Sequence, residues 1–233
     1  MPSPSPSLWV SLLAPWLWAC ATTQAAGLGA EPPEPEEPEW ALTELDEAAA
    51  AVEPAGAVHR VLASPHGPIH VFEPPGYDAT TAGVVLYVHG YYTDVKRACR
   101  RHRLAEQFAA SGKNALFVVP EAPRKPREQV RWDDLDALLE TVAGHPEVTV
   151  PEGPIVAVAH SGGYRTVASW LDSGRLETVV LLDGLYGAED ELTRWLEGGG
   201  NHPWSLMLVG HHTTPRIERF ERHLARGDQF GEA

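Results

Sequence analysis

Between residues 57 and 233 the apolar positions fall into two alternating patterns. Short apolar runs at Val58–Ala63, Ile69–Glu73, Val84–Val88, Ala115–Val119, Ile155–Ala159, Val179–Leu182 and Ser205–Val209 predict seven strands. Between them, apolar residues return at helical spacing over 94–111, 131–144, 163–173, 188–197 and 215–226. Trp132, Leu135, Leu138 and Leu139 make one such face, and Val167, Trp170 and Leu171 another; both read as core. The first two strands are separated by Ser64-Pro65-His66-Gly67-Pro68, a turn signal that predicts a hairpin. From Val84 onward, near-continuous apolar strands alternate with helices. Strands with no polar face must be covered on both sides, so the expected fold class is α/β, a doubly wound and mainly parallel sheet. Roughly 177 residues suit one domain.

The preceding residues have a different character. Leu8 to Cys20 is apolar but shorter than the ~20 residues of a membrane span, and it ends in small residues as an export signal does. Leu17-Trp18-Ala19-Cys20 resembles a bacterial lipobox, although Trp18 is bulky and residues 1–7 carry no Lys or Arg. Residues 1–20 are therefore expected to be a signal peptide with a lipobox and lipidation at Cys20, the alternatives being an ordinary cleaved export signal or a wrongly placed start. The chain would then be exported to the periplasm or cell surface and held at a membrane by lipid alone. Residues 21–56 predict an acidic, Pro-rich tether, because Glu-Pro-Pro-Glu-Pro-Glu-Glu-Pro-Glu at 31–39 offers no apolar surface to bury.

Charge changes the picture little. The net charge of −14 is concentrated in the tether, where nine acids and no base lie between Glu31 and Glu53; 23 acids face 18 bases elsewhere. No basic stripe of the kind nucleic acid requires is present. Lys96, Arg97, Arg100, Arg101, His102 and Arg103 recur at helical spacing and read as a solvated helix face. Of the two cysteines, Cys20 is reserved for lipid, which leaves Cys99 as a small core residue without a disulfide partner.

The candidate chemistry begins at Ala159-His160-Ser161-Gly162-Gly163. A short strand runs into a serine flanked by small residues, and a helix-compatible segment follows. This is the nucleophile-elbow pattern with alanine at its first small position. The alternative is a tight strand-to-helix turn without chemistry. Roughly 70 residues earlier, Gly83-Val-Val-Leu-Tyr-Val-His89-Gly90 is an apolar strand ending in His-Gly, followed by Tyr91 and Tyr92. Gly90 permits a sharp turn, after which the N–H of Tyr91 can face a substrate, as the other half of an oxyanion hole.

On Val-His-Gly-Tyr at 88–91, Ala-His-Ser-Gly-Gly at 159–163 and Leu-Leu-Asp-Gly at 181–184, the chain from about Val58 resembles the α/β-hydrolase family. The resemblance implies a Ser–acid–His triad, no cofactor, and attack on an ester, amide or related acyl carbon. It also implies a further strand, a histidine loop and a closing helix, for which the chain looks too short. Asp183, at the carboxyl end of a predicted strand, is the candidate acid; its bland reading is a turn aspartate beside Gly184. His211 and His212 follow the last predicted strand, in the order Ser, acid, His. Successive residues leaving a strand point opposite ways, so one of the two is expected to serve, and His211 is chosen.

The expected site is thus Ser161, Asp183 and His211, with the N–H groups of Tyr91 and Gly162 holding an oxyanion. Tyr91, Tyr92 and Tyr164 could stack on an apolar or sugar-bearing substrate. A metal set of Asp183, His202, His211 and His212 lacks a His-x-x-x-His or Cys spacing, so no metal is expected. No phosphate-binding loop or dinucleotide fingerprint occurs, and no cofactor is expected. The expected function is an exported serine hydrolase acting on a small-molecule or cell-envelope acyl group. The alternative is a non-catalytic binding lipoprotein on the same scaffold, and the oligomeric state is left open.

Overall fold

The computed structural model describes residues 54–198 and 204–226. The expected signal peptide with Cys20, all but the last three residues of the expected tether, and His202 lie outside the described residues.

All seven predicted strands form. They are β1 (Val58–Leu62), β2 (Ile69–Glu73), β3 (Gly83–Val88), β4 (Ala115–Pro120), β5 (Ile155–His160), β6 (Leu176–Leu182) and β7 (Ser205–Val209). One sheet joins them in the order β1-β2-β4-β3-β5-β6-β7. The β1–β2 hairpin and the β2–β4 pair are antiparallel, and every later pair is parallel. The expected doubly wound α/β sheet is the fold of this chain.

Among the described residues six helices lie between and after the strands: α1 (Val95–Arg101), α2 (Leu104–Ala110), α3 (Leu135–Ala143), α4 (Tyr164–Ser169), α5 (Glu189–Gly198) and α6 (Thr214–Arg226). The strands alternate their side chains between two cores. One holds Val84, Leu86 and Val88 of β3 with Trp132, Leu138, Trp170, Trp195 and Phe220 from the segments around α3 to α6. The other holds Tyr87, Phe117 and Val119 with Val95, Cys99 and Leu104 of α1 and α2. Each fully buried side chain of this size contributes ~1.5–3 kcal/mol. Cys99 is a core residue as expected, and burial pushes its thiol up to about 12.

The single helix expected over 94–111 is two. Arg103 adopts a left-handed conformation (φ 47, ψ 47), which ends α1 and starts α2. No Gly or Pro marks that break, so the apolar spacing ran through it. Asp94 caps α1 by accepting from the Arg97 N–H, and Asp134 caps α3. After β7 the chain passes through a loop bearing both histidines into the 13-residue α6. No further strand follows β7 among the described residues. The Arg216 guanidinium grips the Glu189 carboxylate and ties α6 to the start of α5.

Candidate active site

Parallel strands deliver their carboxyl ends to one edge of the sheet, and the register there is continuous. Val88 of β3 pairs with Ala159 of β5, His160 of β5 with Leu182 of β6, and Leu182 with Val209 of β7. The next residue of each strand therefore forms a row: His89 beside His160, then Ser161, Asp183 and Gly210. Neighbouring strands are about 4.8 Å apart, so the row places Ser161 one strand from Asp183. The Asp183 N–H donates to the Val209 carbonyl and fixes the step to β7.

Ser161 leaves β5 with φ 47, in the left-handed region that L-residues with a Cβ disfavour. A tight turn over Ser161–Gly163 follows and runs into α4. Such strain persists only where the surroundings over-determine it, and here they do. A Cβ on Gly163 would stand 2.6 Å from the Val88 carbonyl oxygen, and one on Gly162 would meet the Tyr91 ring at 2.3 Å. A Cβ on Gly90 would lie 3.0 Å from Ser161 Cβ. The small residues flanking Ser161 exist because the β3 loop and the elbow are in direct contact. Ser161 itself is 8% exposed.

The loop after β3 is held from behind. His89 is buried, and its Nδ1–H donates to the Gly90 carbonyl at 2.7 Å. Because the peptide is planar and trans, the N–H of Tyr91 in the same unit points the opposite way. The Ala122 N–H donates to His89 Nε2 at 3.1 Å, and the buried Glu121 carboxylate lies 3.2 Å from the same nitrogen. Glu121 also accepts from Arg124, while the Tyr92 N–H donates to the Arg124 carbonyl. Burial pushes the Glu121 carboxyl up, but the neighbouring His89 ring and the Arg124 guanidinium outweigh it and hold the group at about 2. Sequence reasoning missed Glu121, although an acid directly after the parallel strand β4 is the same signal that singled out Asp183.

Asp183 also has a left-handed backbone, φ 46. Its Oδ1 accepts from the His211 N–H, the Thr213 N–H and the Thr213 hydroxyl, each at 2.9 Å. Its Oδ2 accepts from Nδ1 of His212 at 2.9 Å. Burial pushes the carboxyl up, but the backbone donors of His211 and Thr213, with His212 and the Thr213 hydroxyl, hold it well below the usual carboxylate range. The carboxylate therefore orients the ring of His212 and not that of His211, the ring expected from the sequence. His211 contributes its backbone N–H to Asp183; its ring reaches only Nδ1 of His212, at 3.3 Å. The strand ends at Val209 and the chain turns over 211–213, so the alternation on which His211 was chosen does not extend that far. Nothing in the sequence signalled Thr213.

Asp183 and His212 are thus brought together, with Ser161 on the neighbouring strand end. No hydrogen bond joins Ser161 Oγ to either imidazole among the described residues. Such contacts are commonly long before a substrate binds.

No protein-family model matches the chain, and no curated protein matches its sequence. Solved structures do match by fold. FphF, a fluorophosphonate-binding serine hydrolase of Staphylococcus aureus, superposes with TM-score 0.55 at 14% identity, over 75% of this chain and 88% of that one. The S-formylglutathione hydrolase FrmB of the same organism gives 0.54 at 16% identity, over 74% and 86%. The Francisella virulence factor BioJ gives 0.55 at 12%, over 82% and 77%. At such identities the likeness establishes the fold, and the fold is that of the α/β-hydrolases.

Proposed function

We propose that this protein is a serine hydrolase that cleaves a carboxylic ester or amide through an acyl-enzyme. The observation that carries the reading is the oriented Asp183–His212 pair on the strand ends beside a strained, glycine-flanked Ser161. In the proposed sequence His212 Nε2 takes the Ser161 proton as Oγ attacks the acyl carbon. Asp183 keeps the ring's other proton on Nδ1 and stabilises the imidazolium that forms. The N–H groups of Tyr91 and Gly162 receive the oxyanion, the first turned toward it by the bond between His89 and the Gly90 carbonyl. His212 then returns the proton to the leaving group, and water releases the acyl chain by the same steps. No cofactor is needed for this chemistry. The fold neighbours include a fluorophosphonate-binding serine hydrolase and an S-formylglutathione hydrolase, which supports a nucleophilic serine here. A fluorophosphonate probe tests the reading: covalent labelling of the parent at Ser161, located by peptide mapping, is expected, and an unlabelled parent would count for the binding-module alternative.

The reading extends to location. Leu17-Trp18-Ala19-Cys20 and the acidic segment that follows support export and a lipid anchor, with a small-molecule or cell-envelope acyl group as substrate. No described helix is long and apolar enough to cross a membrane. Incorporation of labelled fatty acid into the parent, and its loss in Cys20→Ser, is the test.

A further inference from the structure

Asp183, His211 and His212 each present one ligand atom, and these three atoms lie within 4.8 Å of one another. We propose that this cluster binds a transition-metal cation of the zinc class, and that the bound cation holds the site in an inactive state. The inactivation rests on the serine-hydrolase reading; the binding does not.

The geometry of the two rings carries the argument. Consecutive residues in an extended strand diverge, but the turn after Val209 brings the rings edge-on, with centroids 4.4 Å apart at 78°. Their Nδ1 atoms are 3.3 Å apart. Two ligands of a tetrahedral site with metal–nitrogen bonds of about 2.05 Å stand about 3.3 Å apart. The His–His separation therefore already fits a shared cation. The carboxylate needs only to open from its 2.9 Å contact with Nδ1 of His212 by about 0.4 Å to reach the same spacing.

The carboxylate is also prepared for the role. Three donors occupy Oδ1 and fix its plane, which leaves Oδ2 as the ligand atom. Both imidazoles reach solvent, so a hydrated ion has a path in. Imidazole pairs favour Zn²⁺, Cu²⁺ or Ni²⁺, whereas Mg²⁺ and Ca²⁺ favour all-oxygen sets.

The consequence for chemistry is a change of tautomer. A neutral imidazole carries one ring proton. While Asp183 accepts from Nδ1, that proton sits on Nδ1 and the Nε2 lone pair is open to the Ser161 hydroxyl. A cation on Nδ1 takes that nitrogen's lone pair, so the ring proton passes through solvent to Nε2. No proton is lost from the ring, but its base nitrogen is now a donor. Asp183 is diverted to the metal at the same time.

The test uses the untagged protein, titrated with ZnCl₂ by calorimetry and followed in parallel by fluorophosphonate labelling. One equivalent of zinc is expected to bind, with no matching signal for MgCl₂. His211→Ala and His212→Ala should each bind at least about tenfold more weakly, as loss of a first ligand should cost no less than loss of a supporting partner. Zinc should raise the melting temperature of the parent and leave that of His211→Ala unmoved. It should slow labelling of the parent about tenfold or more, reversibly with EDTA, while labelling of His211→Ala, compared with its own metal-free rate, should not respond to zinc. Equal zinc binding by the parent and His211→Ala overturns the site. Ligand-dependent binding with labelling unaffected overturns the inactivation. Ligand-dependent binding in a parent that never labels supports the site and overturns the hydrolase reading instead.

Discussion

Gly90 and Ser161 stand so close at the sheet's edge that a methyl group on Gly90 would lie 3.0 Å from Ser161 Cβ and 3.2 Å from the His160 carbonyl oxygen. The loop after β3 and the elbow after β5 are therefore positioned against each other. Gly90→Ala should displace the Tyr91 N–H and slow labelling about 100-fold, the cost expected for a misplacement near 1 Å. The melting temperature should fall by no more than a few degrees. Gly174→Ala, where an added Cβ meets nothing within 4 Å, is the matched control and should label like the parent.

Ser161→Ala should abolish fluorophosphonate labelling and lower any esterase rate by ~10⁴ to ~10⁶, as loss of a triad member does. Its melting temperature should match the parent's, because the hydroxyl takes no part in the cores. A variant that retains the parent's rate against simple esters would sink the nucleophile assignment.

His212→Ala should lose activity on the same scale as Ser161→Ala. His211→Ala keeps the backbone N–H that Asp183 uses and should stay within a few-fold of the parent in the absence of metal. Asp183→Asn should cost about 10⁴, since an amide offers the ring the wrong tautomer. Inactivation by His211→Ala with full activity in His212→Ala would reverse the assignment.

Asp183 also sets an acid limit on stability. Its carboxyl is held below its unfolded value, so the folded state binds fewer protons than the unfolded chain. That contribution is present above the unfolded value of about 3.9 and is lost as pH falls below it. Melting curves from pH 6 to pH 3 should fall more steeply for the parent than for Asp183→Asn. Parallel curves would mean that the carboxylate contributes nothing to this dependence.

Most of the frame was legible in the sequence. All seven strands follow from apolar runs, and the candidate nucleophile, acid and oxyanion loop follow from small residues placed where backbones must approach. What escaped is what depends on backbone reversals that side-chain type does not announce. Arg103 splits a helix in a left-handed conformation without a glycine, and the turn over 211–213 puts the ring of His212, not that of His211, on Asp183. The support behind His89 escaped for another reason. Glu121 and Arg124 act on the loop across 32 or more residues of chain, and only the β3–β4 pairing brings them there.

Among the described residues β7 hydrogen-bonds to the sheet on one side only, through β6. The proposed nucleophile thus hangs from a strand paired on both sides, and its proposed base from one with half the ladder. Strands secured on one side open first in sub-global fluctuations, at a free energy below that of complete unfolding. Amide protons of β7 should exchange with solvent ahead of those of β5. On slow heating, reactivity toward the probe should vanish while the far-ultraviolet signal of the fold is still intact, so that the thermal limit of function is set by the rim of the sheet and not by its centre.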